Sequence, residues 1–227
     1  MRLWLTRTQP GAQRQAQELA AAGYQVLVEP VLRVEPTGAA VPGAEFEIVV
    51  FLSEHAVRIC EDFAFCASAR LFAIGARTAE ALKAQGLDAL SPEDERSEGL
   101  LAMDQLRSIQ GQRVLLVAGE GGRDLLAAAL SERGASVSDY RCYRRAVRSG
   151  VMLQTDEIDV VVAASGDGAV AAADVWFGQG GSAEVTVLVP SDRVAGIARE
   201  AGFRRVVECA GASSRAILSA LKELPVA

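Results

Sequence analysis

The sequence is short of the residues on which many catalytic sites are built. It has one histidine, His55, and four cysteines, Cys60, Cys66, Cys142 and Cys209, none in a CxxC pair. A metal site has almost no ligands to draw on, so none is expected. Aromatic residues make up only 5% of the chain, too few for the stacking platforms of a single-strand nucleic-acid surface. Positive charge is the minority as well: 23 Lys and Arg stand against 29 Asp and Glu, a net charge of −6. A generic phosphate-backbone binder would be basic, so no nucleic-acid partner is expected. An anionic small molecule stays open, because it answers to the local field of its site. No apolar run approaches the ~18 residues of a membrane span, and Met1-Arg2-Leu3-Trp4-Leu5-Thr6-Arg7 turns polar too soon for a signal peptide. Scattered thiols without an export signal place the expected compartment in the cytoplasm, away from membranes.

What the sequence does hold is apolar residues, half of its 227 positions, enough for two α/β lobes. Short apolar runs alternate with amphipathic stretches that end near glycine, the pattern of βα units on a parallel sheet. Strands are expected at Arg2–Thr6, Gln25–Glu29, Glu47–Leu52, Leu71–Ile74, Arg113–Ala118, Ser136–Tyr140, Asp159–Ala163, Thr186–Val189 and Arg205–Glu208. Helices are expected at Ala12–Ala22, Glu54–Phe63, Ala76–Gln85, Ser97–Ser108, Arg123–Arg133, Gly168–Phe177, Arg193–Ala201 and Ser213–Leu224. Gly23, Gly86, Gly134 and Gly202 fall where left-handed C-terminal caps belong, and Ser97 and Ser213 where N-caps belong.

The chain also repeats itself. Arg2–Arg33 slides onto Arg113–Arg144 without a gap, matching Arg2 with Arg113, Leu5 with Leu116, Leu19 with Leu130 and Gly23 with Gly134. The matches fall at equivalent places: strand, helix face, cap and next strand. Glu47-Ile48-Val49-Val50 resembles Asp159-Val160-Val161-Val162, and Arg77, Gly86 and Ser97 meet Arg193, Gly202 and Ser213. The reading is a duplicated half, a βαβ unit followed by a longer β/α unit.

In open parallel sheets, ligands bind beyond the carboxyl ends of the strands, facing helix N-termini. Those turns here are Arg7–Gly11, Ser53–His55, Gly75–Thr78, Gly119–Arg123, Ser165–Gly168 and Pro190–Arg193. They are rich in Gly, Ser, Thr and Arg and suit oxyanions. Gly119-Glu120-Gly121-Gly122 fails as a dinucleotide loop, since the third glycine position is Asp124 and no Walker lysine follows. His55 reads as a solvated turn histidine, and Arg144, Arg145 and Arg148 as a solvated linker surface. Tyr143 has two open readings: a phenol packed in a linker, or one that faces a cleft and donates a proton or hydrogen bond.

Over nearly its whole length the sequence resembles the uroporphyrinogen-III synthase family. The likeness is carried by Leu5-Thr6-Arg7, by Val49-Val50-Phe51-Leu52-Ser53-x-x-Ala56-Val57, and by Ile74-Gly75-x-x-Thr78-Ala79-x-Ala81-Leu82. Ser97-Glu98-Gly99-Leu100-Leu101, Gly119-Glu120-Gly121-Gly122-Arg123 and the stretch from Val137 to Tyr143-Arg144 continue it. The chain departs at Ser191-Asp192-Arg193-Val194-Ala195, where the family's threonine is Val194, and at Ser165-Gly166-Asp167-Gly168 in place of a Ser-rich turn.

The resemblance implies an α/β fold of two flavodoxin-like parallel-sheet lobes from the duplicated half, crossed over and joined by a two-stranded linker. Residues 1–34 with 149–227 would form one lobe and 38–143 the other, with linkers at 35–37 and 144–148 that make a hinge, and the working site in the cleft between the lobes. It implies cyclisation of hydroxymethylbilane, a linear tetrapyrrole with eight carboxylates, to uroporphyrinogen III, with inversion of the last pyrrole ring and loss of water. No cofactor is implied, because the pyrroles supply their own electrons. Tyr143 would assist departure of the hydroxyl. Arg7, Ser53, Gly75, Thr78, Gly119, Ser165 and Arg193 would hold substrate carboxylates. A monomer is expected, with transient hand-over from hydroxymethylbilane synthase. The alternative is a non-catalytic two-lobed binding protein for an anionic small molecule.

Overall fold

The structure is a computed structural model that describes residues 1–43, 45–121 and 125–224. Along the chain run β1 (Arg2–Leu5), α1 (Gly11–Ala21), β2 (Gln25–Val28), β3 (Leu32–Pro36), β4 (Ile48–Phe51), α2 (Glu54–Ile59), β5 (Arg70–Ala73), α3 (Ala76–Lys83) and α4 (Ser97–Ala102). They are followed by β6 (Arg113–Gly119), α5 (Leu125–Glu132), β7 (Ser136–Val147), β8 (Val160–Val162), α6 (Gly166–Gly178), β9 (Thr186–Val189), α7 (Asp192–Glu200), β10 (Arg205–Glu208) and α8 (Ser214–Glu223). Two compact units result, Met1–Arg33 with Ala146–Ala227, and Val34–Arg145.

Each unit carries one five-stranded sheet, ordered β10-β9-β8-β1-β2 in the first and β3-β7-β6-β4-β5 in the second. In the first, β1 lies between β2 and β8 and pairs in parallel with both. In the second, β6 takes the same place between β7 and β4. The equivalence of β1 with β6 is the sequence repeat made visible. It extends to the sheet edge: Leu90 makes a lone parallel bridge to Phe72 in β5, where β10 stands beside β9 in the other sheet. The odd strand is β3. Thr37 N–H donates to Cys142 O at 3.1 Å, and Arg148 N–H to Val31 O at 2.8 Å, so β3 rises as β7 falls and the pair is antiparallel. Most of residues 35–37 and 144–148, expected as parts of a two-stranded linker, lie in these two strands.

Helices cover both faces of each sheet, which is why the strands read as unbroken apolar runs. In β1, Trp4 faces one way, stacked on Trp176 of α6 at 6.2 Å, while Leu3 and Leu5 face a cluster with Leu19 and Leu221. In β4, Val49 and Phe51 pack with Val57 and Leu82, and Ile48 and Val50 with Leu100 and Leu130. Both indole N–H groups are satisfied, Trp4 by Glu29 O at 2.8 Å and Trp176 by Ser182 O at 2.9 Å, as burial of a polar handle demands.

The cap glycines all take positive φ, from 78° at Gly86 to 110° at Gly202. Two expectations need correction. Ser97 is not an N-cap: it is the first residue of α4, and Arg96 precedes it without a side-chain cap. The helix also stops at Ala102, because Met103 turns extended with ψ 132°. Ser213 does cap α8, accepting from Ala216 N–H at 3.2 Å.

Candidate active site

Where neighbouring strands of a parallel sheet send their chains to opposite faces, their carboxyl ends open a crevice. In the second unit this point lies between β4 and β6, and three of the expected site residues meet there. Ser53 follows β4 and caps α2, its Oγ accepting from Ala56 N–H at 3.1 Å. Its hydroxyl donates to Tyr143 Oη at 3.0 Å. The Tyr143 ring lies against Gly119 at the end of β6, so closely that a Cβ on Gly119 would stand 2.4 Å from the ring's Cζ. Glycine is needed here for close approach, not for its backbone freedom.

A register shift brings the ring to this place. Along β6 and β7, Ala118 is level with Arg141, but Gly119 is level with Tyr143. One extra residue, Cys142, is accommodated as a bulge, which re-aims the side chain that follows. Successive strand residues ordinarily point to opposite faces, yet Cys142 and Tyr143 are both buried in one cluster, at 2% and 3% exposure.

Two further residues attend the phenol. The His55 ring meets Tyr143 edge-on at 5.7 Å, so His55 is a neighbour of the phenol rather than a solvated turn histidine. The Arg145 guanidinium lies over the Tyr143 ring, 5.7 Å from its centroid. The arginine cluster is likewise no plain solvated surface: Arg144 pairs with Glu35 at 2.8 Å and Arg148 with Glu29 at 2.7 Å. The signal for His55 was its place two residues after Ser53. The signal for Arg145 was its place two residues after Tyr143, on the same strand face.

Gly75 and Thr78 stand one strand further out, at the start of α3. There the Glu95 carboxylate accepts from Ala76 N–H at 3.0 Å and lies on Gly75, its Cδ 2.7 Å from the place of a Cβ. The helix N-terminus expected to take a substrate carboxylate thus holds one of the chain's own. The Thr78 side chain is buried, as is Val194 at the equivalent place in α7. The exchange of Thr for Val therefore falls at a packed position in both units.

In the first unit, Arg7, Ser165 and Arg193 all lie at strand carboxyl ends. Ser165 caps α6, accepting from Gly168 N–H at 3.2 Å. Arg193 leans over the start of the same helix, its Nη1 3.6 Å from the place of a Cβ on Gly166. A capped helix N-terminus with a guanidinium beside it is a positive corner. Arg7 folds back over Gly11 at the start of α1, its Nη2 2.9 Å from the place of a Cβ. Gly122, Arg123 and Asp124 of the glycine-rich loop lie outside the described residues.

The family model described as Uroporphyrinogen-III synthase HemD matches residues 13–219. The chain belongs to the uroporphyrinogen-III synthase family. It is 31% identical to the uroporphyrinogen-III synthase of Salmonella typhimurium over 98% of this chain and 100% of that one. The Escherichia coli K12 synthase is 30% identical over the same shares. Among solved structures, uroporphyrinogen-III synthetase from Helicobacter pylori 26695 superposes with a TM-score of 0.68 at 14% identity, covering 99% of this chain and 100% of that one. That likeness shows the fold. For a uroporphyrinogen-III synthase family member, the notable local arrangement is the hydroxyl pair of Ser53 and Tyr143, closed from below by Gly119.

Proposed function

We propose that this chain converts hydroxymethylbilane to uroporphyrinogen III with loss of one water, and that Tyr143 is its proton donor. The observation that carries the role of Tyr143 is the Ser53 hydroxyl donating to its Oη at 3.0 Å. With its own proton spent on Oη, Ser53 leaves the phenol proton for another acceptor. The hydroxymethyl C–O bond breaks, its electron pair leaves with oxygen, and the Tyr143 proton completes the departing water. The pyrrole supplies the replacing electrons and, keeping its N–H, becomes an azafulvenium cation. Ser53 steadies the phenolate left behind. The last ring attacks through its substituted carbon to give a spiro intermediate, which fragments and recloses with that ring inverted. The proton released as the ring regains aromaticity returns to Tyr143. Arg7, Ser165 and Arg193 hold carboxylates of the substrate, and proximity does the rest.

We read the enzyme as a cytoplasmic monomer supplied by transient hand-over from hydroxymethylbilane synthase. In support of the compartment, its four cysteines are free thiols. Separately, among the described residues no helix is long and apolar enough to cross a membrane.

Tyr143→Phe tests the donor role. General-acid assistance contributes roughly 10²–10⁴-fold, and the electron-rich pyrrole already expels its leaving group. Turnover is expected to fall within that range or somewhat less, with isomer III still the main product. Unchanged turnover would remove Tyr143 from the chemistry. A switch to isomer I would make it a steering residue.

A further inference from the structure

The arginines around Tyr143 differ in their partners. Arg141 pairs with Asp139 at 3.0 Å, Arg144 with Glu35 and Arg148 with Glu29. Arg145 is exposed, and among the described residues it meets no carboxylate; its one contact is the face of the Tyr143 ring. Its charge thus stands beside the proposed proton donor with no acidic side chain among the described residues to neutralise it. Residues 143 and 145 share a strand face by the two-residue period of β7. The cation and the phenol are therefore presented together.

We infer that Arg145 is a substrate-positioning residue, whose guanidinium takes a carboxylate of the same pyrrole that carries the departing hydroxyl. The inference rests on the proposed activity. A guanidinium presents parallel N–H donors that fit a carboxylate in two-point contact. Gripping a side-chain carboxylate of that ring fixes where its hydroxymethyl group lies with respect to Tyr143 Oη. Such a contact is made in ground state and transition state alike, so its loss appears in KM more than in kcat. It is also ionic, so its loss flattens the salt dependence of binding.

The test compares wild type, Arg145→Gln, Arg145→Lys and the double variant with Tyr143→Phe. Arg145→Gln is expected to raise KM about fivefold to twentyfold with kcat within about twofold. Arg145→Lys should recover part of the loss, and the melting temperature should not move. The same KM increase should appear on the Tyr143→Phe background. A second readout needs no turnover: equilibrium binding of uroporphyrin, an eight-carboxylate macrocycle, should weaken in Arg145→Gln and lose part of its salt dependence. If wild type did not consume hydroxymethylbilane, weaker uroporphyrin binding would still uphold the arginine's role while the activity fell. Wild-type KM together with wild-type uroporphyrin binding would overturn the inference. So would a loss confined to kcat, which would make Arg145 a modulator of the phenol.

Discussion

Gly119 and Tyr143 constrain each other. The ring occupies the space a Cβ would need, with its Cε2 only 2.5 Å and its Cε1 2.9 Å from that position. Gly119→Ala is therefore expected to push the phenol off Ser53 and lower turnover to about the level of Tyr143→Phe, while KM changes less. Measuring both constants on the two variants checks this; full activity in Gly119→Ala would mean that the ring can move without cost. Tyr143, Ser53 and Gly119 could each be picked from the sequence, because polar residues and glycine at strand ends face helix N-termini in any such sheet. Their meeting could not. Ser53 and Tyr143 are 90 residues apart, and the bulge at Cys142 that aims the ring has no local signature. His55 was misjudged for the same reason: its partner comes from a distant strand.

At the level of elements, the strand starts are pinned by charge. The Glu47 carboxylate, just before β4, accepts from Arg113 Nη2 at 2.7 Å and from Arg113 N–H at 2.7 Å. Hydrogen bonding to the guanidinium, and then to that amide, holds the carboxyl at about 2, down from an ordinary 4.5. A carboxylate depressed in the folded state stabilises the fold above its unfolded value, and that contribution is lost as pH falls through the folded value. Wild type is thus expected to lose stability more steeply than Glu47→Gln between about pH 4.5 and pH 2. Chemical denaturation at several pH values measures it, and parallel slopes would contradict it. Helices and strands were largely legible, since each has its own apolar period and glycine stop. The misses have local causes. The apolar pattern ends at Tyr140 and the resemblance implies a separate linker strand near Tyr143–Val147, whereas β7 runs through both as one strand, Ser136–Val147. The spacing of Met103, Leu106 and Ile109 predicts a longer α4, but an extended residue and a short 3-10 turn interrupt it.

Across the whole molecule, the duplication explains the fold, since each unit repeats one five-stranded sheet. Each sheet places the same strand, β1 or β6, beside its own crevice, and the turn residues of the two units then differ. One presents Arg7, Ser165 and Arg193 around helix starts; the other presents the phenol with its serine, histidine and arginine. The repeat was readable because strands, helix faces and caps recur in register. The specialisation was not, because it rests on which turn residues meet. An account in which the protein's main task is to decide how a flexible tetrapyrrole closes is tested most directly by the product, not by the rate. Purified protein should be given hydroxymethylbilane and the uroporphyrinogen isomers separated after oxidation. The account predicts rapid consumption with isomer III as the main product. Product dominated by isomer I, formed at the rate seen without protein, would contradict it.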